Sequence, residues 1–457
     1  MAKSSNNGVN QIPNRILTLL GTGKTDSLKN RLIRGAAGSF GLKIANTGLA
    51  LITSVLLARL LGTEGFGIYA YAIAWTTLLS IPATLGLDKL LVREVAIYQT
   101  QSAWGLMHGL IRWANQVVLW VSIGLFLIAV GVAWGLGTDS NEQVLLALGV
   151  ALVSLPLASL RSLRLATMRG LHQVVMGQLP EMLLAPLFLI ALTGCGYLFF
   201  KEDLSASWVV GIHVVATAIT FVIGARLLHK ILPNKVIKAN PEYQIRQWIH
   251  STLPLMFLGG MQIIYSRTDV LMLGAIKGAE SVGIYVVVVR LAQLITFILM
   301  AVNSALAPTM ASLYAEGKIE QLQRVLTKSA RIILLISIPV TAILIGFCYW
   351  FLLLFGSDFT QGQTALTILS IAQLVNAGMG SVGQLLTMTG HENYTVITVG
   401  SGAVMNLVLN ALLIPKWGIN GAAFSTAVCI IFVNILNGVW VHRQLGINST
   451  ALGKLSD

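Results

Sequence analysis

Five ionisable side chains lie inside long apolar stretches of this 457-residue chain. They are Lys43, Glu181, Arg267, Asp269 and Arg290. A charged side chain near the middle of a bilayer costs roughly 2.5 to 3.5 kcal/mol on insertion scales, so those that occur there usually pair with one another or face a cavity. A guanidinium or ammonium group without a partner could bind the oxygens of a phosphate. The chemistry to expect is therefore ion pairing, anion binding or both.

Arg267 and Asp269 stand two residues apart in "YSRTDVLML". They lie roughly 200° apart around a helix, at about 100° per residue, so they cannot point the same way. Asp269 is about seven residues from the end of its helix and Arg290 about eight from the start of the next, which gives antiparallel neighbours a similar depth. We predict an Asp269–Arg290 ion pair, which leaves Arg267 facing a cleft.

Three further residues are candidates for the same region. Lys43, with Arg59 near the far end of its helix, would join Arg267 in a cationic cavity suited to phosphate or pyrophosphate. Glu181 lies at a depth similar to that of Lys43 and is a candidate for an ion pair or for ion coupling. The alternative is that these residues only bond one helix to another, or that Lys43 and Arg59 extend to a membrane interface.

Uncharged polar side chains recur at helical spacing later in the chain. These are Gln373, Asn376, Gln384, Asn406 and Asn410. We predict that they line a polar cleft that could accommodate sugar. Hydrogen bonds between helices are at least as good an explanation.

The composition indicates what must position these side chains. The chain is 55% hydrophobic and only 10% charged, far outside the range of soluble domains, so it is predicted to be an all-α, polytopic membrane protein. Apolar runs of about 18 to 25 residues define about twelve transmembrane spans. The predicted spans 1 to 12 are Ala36–Leu61, Ile68–Leu87, Ala114–Leu136, Val144–Leu160, Val174–Phe200, Ser207–Leu228, Ser251–Ile276, Val282–Leu306, Ser329–Phe355, Thr364–Thr389, Tyr394–Ile414 and Gly418–Trp440.

Lys and Arg residues alternate between the predicted loops. One side carries 23 of them and the other side four. This asymmetry is the positive-inside signal, and it places both termini in the cytoplasm of a multi-pass protein of the inner (plasma) membrane. The net charge of +13 therefore reflects topology, and we do not expect nucleic-acid binding.

Other classes of function find little support. "GTGKT" at Gly21–Thr25 lacks the earlier Gly and the strand of a phosphate-binding loop. Cys195, Cys348 and Cys429 are far apart and have no metal-ligand spacing, so neither a disulfide nor a metal site is predicted. The predicted outer loops are too short for a catalytic site, which argues against an enzyme. No cofactor is expected, and His213 is interpreted as a core histidine.

The chain contains an internal repeat. "EGFGIYAYAIA" from Glu64 returns as "ESVGIYVVVVR" from Glu280, 216 residues later. Each copy follows a Leu-Gly pair, Leu61–Gly62 and Leu273–Gly274. Six helices separate the copies, so the halves share one orientation, and we predict two parallel-repeat six-helix bundles around a central cleft. The predicted parts are a cytoplasmic arm (1–35), an N-terminal bundle (36–228), a cytoplasmic linker (229–248), a C-terminal bundle (249–442) and a cytoplasmic tail (443–457).

Three motifs together resemble a known family. "LLARLLGTEGFGIYAYAIA", "YSRTDVLMLGAIKGAESVGIYVVVVRL" and "LLIPKWGINGAAFSTAV" are similar to stretches of the polysaccharide-biosynthesis flippases (Wzx-type) of the multidrug/oligosaccharidyl-lipid/polysaccharide (MOP) superfamily. The resemblance covers roughly residues 30 to 445. It implies a MATE-like fold and export of an undecaprenyl-pyrophosphate-linked oligosaccharide by alternating access. Arg267 and Asp269 fall at matching motif positions.

The resemblance also implies partners. They are the lipid-linked oligosaccharide, membrane lipids, a coupling ion (H+ or Na+), and a polysaccharide polymerase or glycosyltransferases. A cation-coupled multidrug antiporter of the same superfamily is the first alternative, although Lys43 and the absence of an acidic residue in span 1 favour an anionic substrate. A membrane enzyme or scaffold of polysaccharide assembly is the second.

Overall fold

The computed structural model describes residues 25–135, 142–199, 205–451 and 453. Within those ranges the regular secondary structure is helical, without a strand. Most of the "GTGKT" motif, most of the N-terminal arm and the centres of two predicted outer loops lie outside the described residues. Nothing in the structure bears on them.

Each of the twelve predicted spans overlaps with one or more described helices. In the first half, spans 1 and 2 correspond to Thr25–Thr84, span 3 to Trp104–Gly135, span 4 to Glu142–Val153 and Leu155–Gly170, span 5 to Val174–Leu179, the π-helical turn Pro180–Leu184 and Ala185–Phe199, and span 6 to Ala206–Ile231. In the second half, span 7 corresponds to Ile245–Lys277, span 8 to Ala279–Gln293 and Phe297–Ala315, span 9 to Ile319–Gly346 and Cys348–Leu353, span 10 to Gln363–Met379 and Val382–Met388, and spans 11 and 12 to Glu392–Leu445. Shorter helices are Leu87–Gln101, Asn234–Lys238 and the 3-10 turn Ser357–Gly362.

Length and composition alone qualify eight of the described helices to cross a membrane, or nine if the bent pair Ser357–Met379 and Val382–Met388 forms one span. Two of the eight each hold two predicted spans, because Thr25–Thr84 is broken at Gly62 and Glu392–Leu445 at Gly418. The all-α, polytopic membrane fold predicted from the sequence is confirmed.

The two halves repeat the same turn. Gly62 has φ 68° and ψ −173°, and Gly278, 216 residues later, has φ 86° and ψ 178°. A positive φ of this kind favours glycine, because glycine has no Cβ atom that would clash with the neighbouring backbone. The structural repeat therefore equates Gly62 with Gly278. The glycine of the second Leu-Gly pair, Gly274, lies four residues earlier, inside the helix Ile245–Lys277.

The halves cross at a second pair of glycines. A Cβ atom on Gly67 would lie 1.7 Å from the carbonyl oxygen of Ala279, and one on Gly283 would lie 2.1 Å from that of Thr63. The two contacts are equivalent under the 216-residue repeat, because Gly67 corresponds to Gly283 and Thr63 to Ala279. Spans 2 and 8 thus meet backbone to backbone on the axis that relates the halves.

The two ends of the molecule are packed differently. We call the end with Gly62 and Gly278 the turn end, and the end with residues 232–244 the linker end. At the turn end one apolar cluster joins both halves, with Leu57 and Phe66 packed near Phe355 and Phe359, all at most 2% exposed. At the linker end the main apolar clusters are separate, one centred on the first half and one formed by the second. The apolar cluster that both halves share therefore lies at the turn end, while at the linker end the halves meet in smaller contacts such as the stacked rings of Phe40 and Phe297.

The linker end shows one exchange between the halves. Span 7 begins at Ile245, before the predicted start of the second bundle at 249. Trp248 is 1% exposed and packs in the cluster of the first half, where its Nε1 donates to the hydroxyl of Tyr98 at 3.1 Å. The first turn of span 7 is thus anchored in the N-terminal bundle. The predicted limits of the two bundles otherwise stay predictions.

Candidate functional site

A cavity of about 270 Å³ lies between the two halves. Its wall comes from spans 1, 2, 4, 5 and 6 of the first half and spans 7 and 8 of the second. Among the described residues, the charged side chains on this wall are Arg161, Glu181, Arg267 and Arg290, and His213 and Tyr69 accompany them. Three cations therefore face one carboxylate in a cavity that both halves enclose.

Arg267 and Asp269 lie on opposite sides of span 7, as the sequence predicts. Arg267 lines the cavity and has an exposed side chain. Asp269 is 7% exposed and turns into the second half, where it accepts hydrogen bonds from the hydroxyls of Tyr285 at 2.6 Å and Thr426 at 3.3 Å. The backbone N–H of Val270 donates to its other oxygen at 2.9 Å. A role for Arg267 in binding stays a prediction.

The predicted Asp269–Arg290 ion pair is wrong. Span 8 begins at Ala279, three residues before its predicted start, so Arg290 lies deeper than the count from the sequence suggested. Eleven residues separate Arg290 from that start, against eight between Asp269 and Lys277, a difference of roughly 4 to 5 Å at the helical rise. Tyr285 takes the place beside Asp269. Arg290 instead faces the cavity and donates from Nη1 to the carbonyl of Ala50 at 2.9 Å, across the two halves.

Glu181 forms an ion pair with Arg164. Its Oε1 accepts from Arg164 Nη2 at 2.6 Å, and the same oxygen lies 4.0 Å from Arg161 Nε. Arg164 is 4% exposed and also donates to the carbonyls of Thr220 and Phe221. Glu181 itself lies in the π-helical turn Pro180–Leu184, a distortion that is frequent at functional sites.

Room for Arg164 comes from a glycine on span 6. A Cβ on Gly224 would lie only 1.4 Å from Arg164 Nη1. A buried guanidinium is costly unless it is paired and hydrogen-bonded, and here a carboxylate and two carbonyls bond to Nη2 and Nη1, whereas Nε has no hydrogen-bond partner in the described part of the chain. Arg164 is therefore fixed behind the cavity wall, and it holds Glu181 in place.

Tyr69 and His213 form a further pair on the wall. The Tyr69 hydroxyl lies 3.0 Å from His213 Nδ1, and the rings meet edge to face with centroids 5.8 Å apart. The interpretation of His213 as only a core histidine is incomplete, because the ring also lines the cavity. Tyr285, which corresponds to Tyr69 in the repeat, is bonded to Asp269 away from the cavity.

Lys43 and Arg59 are not among the residues that line this cavity, and their predicted role as binding cations stays a prediction. Lys43 lies seven residues closer to the linker end than Ala50, the first wall residue of span 1. Arg59 is exposed at the turn end and donates to the carbonyls of Leu353 and Leu354, both at 2.8 Å. Carbonyls at the end of a helix lack intrahelical partners, which explains why Arg59 turns to them, although the Leu353 carbonyl also accepts from the N–H of Gly356 at 3.1 Å.

The five uncharged polar candidates do not line the cavity either. Asn406 and Asn410 are 1% and 0% exposed and bond to each other at 2.9 Å, and the Asn406 carbonyl accepts from Ser425 of span 12. Asn376 donates to Gln373 at 3.1 Å, and Gln384 lies half-buried in the helix Val382–Met388. Hydrogen bonding within the second half, the alternative reading of the sequence, describes the asparagines of span 11 better than a polar cleft does.

Two arginines of the site were missed because span 4 was predicted to end at Leu160. The helix continues to Gly170 and carries Arg161 and Arg164 into the membrane region. Their signal is "SLRSLRLA", in which arginines three residues apart alternate with leucines on a continuing helical pattern. They were counted as loop cations in the topology prediction and were therefore not considered as site residues.

The fold and this cavity define the class of protein: a polytopic α-helical membrane protein of two similar halves with a cationic cavity between them. The family described as "Polysaccharide biosynthesis protein" matches residues 32–314, and the chain belongs to that family. The family described as "MatE" matches residues 254–412.

Curated relatives match over most of their length. The chain is 27% identical over 422 residues to the "Probable flippase AglR" of Haloferax volcanii, which covers 89% of this chain and 82% of the relative. It is 24% identical over 429 residues to a "Putative O-antigen transporter" of Shigella flexneri, which covers 89% of this chain and 96% of the relative.

Solved structures share the fold. A multidrug resistance MATE family transporter of the MOP superfamily, in its inward-facing conformation, matches with a TM-score of 0.72 at 13% identity over 88% of this chain and 94% of that one. A MOP superfamily transporter from Pyrococcus furiosus matches with a TM-score of 0.64 at 13% identity, over 92% and 96%. The predicted MATE-like architecture is confirmed.

Proposed function

We propose that this protein is a flippase for a lipid-linked oligosaccharide. In this proposal the cavity holds the diphosphate that joins the polyprenyl lipid, undecaprenyl pyrophosphate in its finer form, to a polysaccharide repeat unit. The protein moves this unit from the cytoplasmic to the outer leaflet of the inner (plasma) membrane, with both of its termini in the cytoplasm. The names of the flippase and O-antigen relatives support the substrate class.

The observation that carries the proposal is the convergence of Arg161, Arg267 and Arg290 on one cavity. Guanidinium groups match the oxygens of a phosphate in pairs, and they stay charged when they leave bulk water. One arginine comes from the first half and two from the second. A diphosphate bound between them would therefore respond to any movement of one half against the other.

The packing of the two ends suits alternating access. The turn end is sealed by the cluster of Leu57, Phe66, Phe355 and Phe359, whereas the main linker-end clusters are separate. The positive-inside signal assigns the linker end to the cytoplasm. The structure then corresponds to a carrier that is closed toward the outer leaflet and ready to load from the cytoplasmic one.

Two carboxylates are candidates for coupling to an ion, H+ or Na+. Asp269 is buried against hydroxyl groups without a cationic partner among the described residues, and Glu181 lies on the cavity wall beside arginines. A polysaccharide polymerase or glycosyltransferases are proposed as functional partners. Genes for such enzymes beside the gene for this protein would support this.

A cation-coupled multidrug antiporter is the second candidate, and the shared fold favours it. The cavity argues against it, because its three guanidinium groups outnumber its one carboxylate and the excess positive charge would repel a cationic drug. A membrane enzyme or scaffold of polysaccharide assembly fits the family but would leave the cavity without a purpose.

Reconstitution tests the proposal directly. The purified full-length protein is placed in liposomes that contain a fluorescent polyprenyl-diphosphate oligosaccharide in both leaflets, and access of a membrane-impermeant quencher is followed. We expect the protected fraction of the lipid to become accessible only when the protein is present. Failure to move the lipid, combined with efflux of cationic dyes, would establish the antiporter instead.

A further inference from the structure

Glu181 is the carboxylate that the described part of the chain places on the cavity wall. In a site for a diphosphate, a carboxylate opposes the ligand, so its presence there calls for a reason. Its neighbours are two arginines that hold it in unequal ways. That inequality is the basis of the inference, which rests on the proposed anion site.

Arg164 cannot leave Glu181. Its guanidinium is 2.6 Å from Glu181 Oε1, is 4% exposed, and bonds to the carbonyls of Thr220 and Phe221 in the space that Gly224 leaves. If Arg164 left Glu181 to bind a ligand, the buried Glu181–Arg164 ion pair would be broken. Arg164 therefore keeps the carboxylate at the cavity wall whether or not the cavity is filled.

Arg161 is held much more weakly. Its Nε lies 4.0 Å from the same Glu181 oxygen, at the outer limit of an ion pair, and its side chain is 32% exposed on the cavity wall. A phosphate oxygen could approach to about 2.8 Å, the distance of a charge-assisted hydrogen bond. The guanidinium of Arg161 is thus shared between an internal anion and whatever anion enters.

We propose that Glu181 is an internal competitor of the substrate diphosphate for Arg161. In the empty cavity its carboxylate partly neutralises Arg161. An entering phosphate takes Arg161 over, and the carboxylate, still held by Arg164, draws Arg161 back as the substrate leaves. A carrier needs binding that is strong enough to load and weak enough to release. Glu181 supplies the weakening that three arginines alone would not allow.

The size of the effect follows from Coulomb's law. Like charges about 8 Å apart at an effective dielectric of 20 change an affinity by roughly 30-fold, and screening by salt reduces this toward about ten-fold. The substitution Glu181→Gln removes the charge and leaves an amide oxygen that Arg164 can still contact. We therefore expect Glu181→Gln to bind inorganic pyrophosphate about ten-fold more tightly, measured by calorimetry on the purified full-length protein, and to flip lipid more slowly. Glu280→Gln, the same change at an exposed position away from the cavity, should leave the affinity unchanged.

A double-mutant cycle separates competition for Arg161 from general repulsion. If Glu181 acts through Arg161, the tightening by Glu181→Gln should largely disappear in an Arg161→Gln background. A merely structural role predicts the opposite of tightening, namely weaker binding and lower thermal stability. Unchanged or weaker pyrophosphate binding by folded Glu181→Gln would overturn the inference.

Two further outcomes have defined meanings. If wild type and Glu181→Gln both fail to bind pyrophosphate, the proposed anion site and this inference fall together, whereas binding by wild type without tightening in the variant sinks only the inference. Should Glu181→Gln not fold, Glu181→Asp replaces it. The shorter side chain withdraws from Arg161 while keeping the charge that Arg164 needs, and we again expect tighter pyrophosphate binding, so its absence counts against the inference.

Discussion

Gly67 and Gly283 touch across the axis of the repeat, and neither position has room for a single methyl group. The Cβ atom of an alanine would lie 1.7 Å from the Ala279 carbonyl in one case and 2.1 Å from the Thr63 carbonyl in the other. The two halves can approach this closely because the same glycine recurs 216 residues later.

Gly67→Ala and Gly283→Ala should each force spans 2 and 8 apart. Overpacking of this kind costs typically 1 to 3 kcal/mol, so we expect a lower melting temperature and a strong loss of export. Gly48→Ala, in a helix where a Cβ would meet nothing within 4 Å, is the matched control and should be benign. Normal stability of both crossing variants would contradict the packing described above.

Arg267→Ala should abolish export while the protein remains inserted in the membrane. A hydrogen bond to a charged group contributes roughly 1.5 to 3 kcal/mol, so diphosphate binding should weaken by about 10- to 100-fold. Arg267→Lys should recover part of it, because an ammonium group keeps the charge but not the paired geometry. Lys277→Ala, at the exposed end of the same helix, is the control. Unchanged export by Arg267→Ala would remove Arg267 from the site.

Exchange of the charges at positions 269 and 290 should not restore function. Asp269→Arg combined with Arg290→Asp would rescue a direct ion pair, but Asp269 bonds to Tyr285 and Arg290 to the Ala50 carbonyl. Instead, Asp269→Asn and Tyr285→Phe should be non-additive in thermal stability, with a coupling of about 1 to 2 kcal/mol. Recovery of export in the charge-exchanged variant would revive the ion pair.

Arg59→Gln should loosen the turn end. The guanidinium of Arg59, on the first half, holds the carbonyls of Leu353 and Leu354 on the second. In a variant without native cysteines, a cysteine at Ala58, which is 1% exposed, should react several-fold faster with an impermeant thiol reagent once Arg59 is replaced. Lys416→Gln, an exposed basic residue between spans 11 and 12, should not change the rate. Equal rates in all three proteins would show that Arg59 does not hold this end closed.

Gly224→Ala should dismantle the support of the cavity wall. The added methyl group needs the space of Arg164 Nη1, so the ion pair with Glu181 must move or break. Breaking one side of a buried pair costs roughly 3 to 5 kcal/mol. Gly211→Ala in the same helix, where a Cβ would approach Val150 only to 4.0 Å, should keep wild-type stability and export. A stable and active Gly224→Ala protein would show that the Arg164 side chain can adopt another conformation.

The sequence predicted the helices well because the length of an apolar run is a local property. It predicted the repeat for a similar reason, since "GIY" and its glycines recur at fixed spacing. Helical geometry separated Arg267 from Asp269, but the assignment of Arg267 to the cavity side rested on an Asp269–Arg290 ion pair that the structure replaces with other partners. What failed was everything that required knowing the neighbour: Arg290 finds a carbonyl of span 1, and Arg59 finds a helix end almost 300 residues away.

Arg161 and Arg164 show a second limit. A Lys or Arg at the end of an apolar run can lie either in a loop or inside the membrane region, and only its partners decide between the two. Glu181 and the missing side chain at Gly224 are those partners, and they lie in other spans. All four residues are present in the sequence, but nothing in it indicates that they meet.

The position of Trp248 has a mechanical consequence. This residue opens span 7, yet its ring is locked into the opposite half. Arg267 stands nineteen residues further along the same helix, roughly 28 Å away at the helical rise. The first turn of span 7 is therefore fixed to one bundle, whereas the part of the helix that carries Arg267 belongs to the other. A rotation of one bundle against the other would bend span 7 and displace the Arg267 guanidinium.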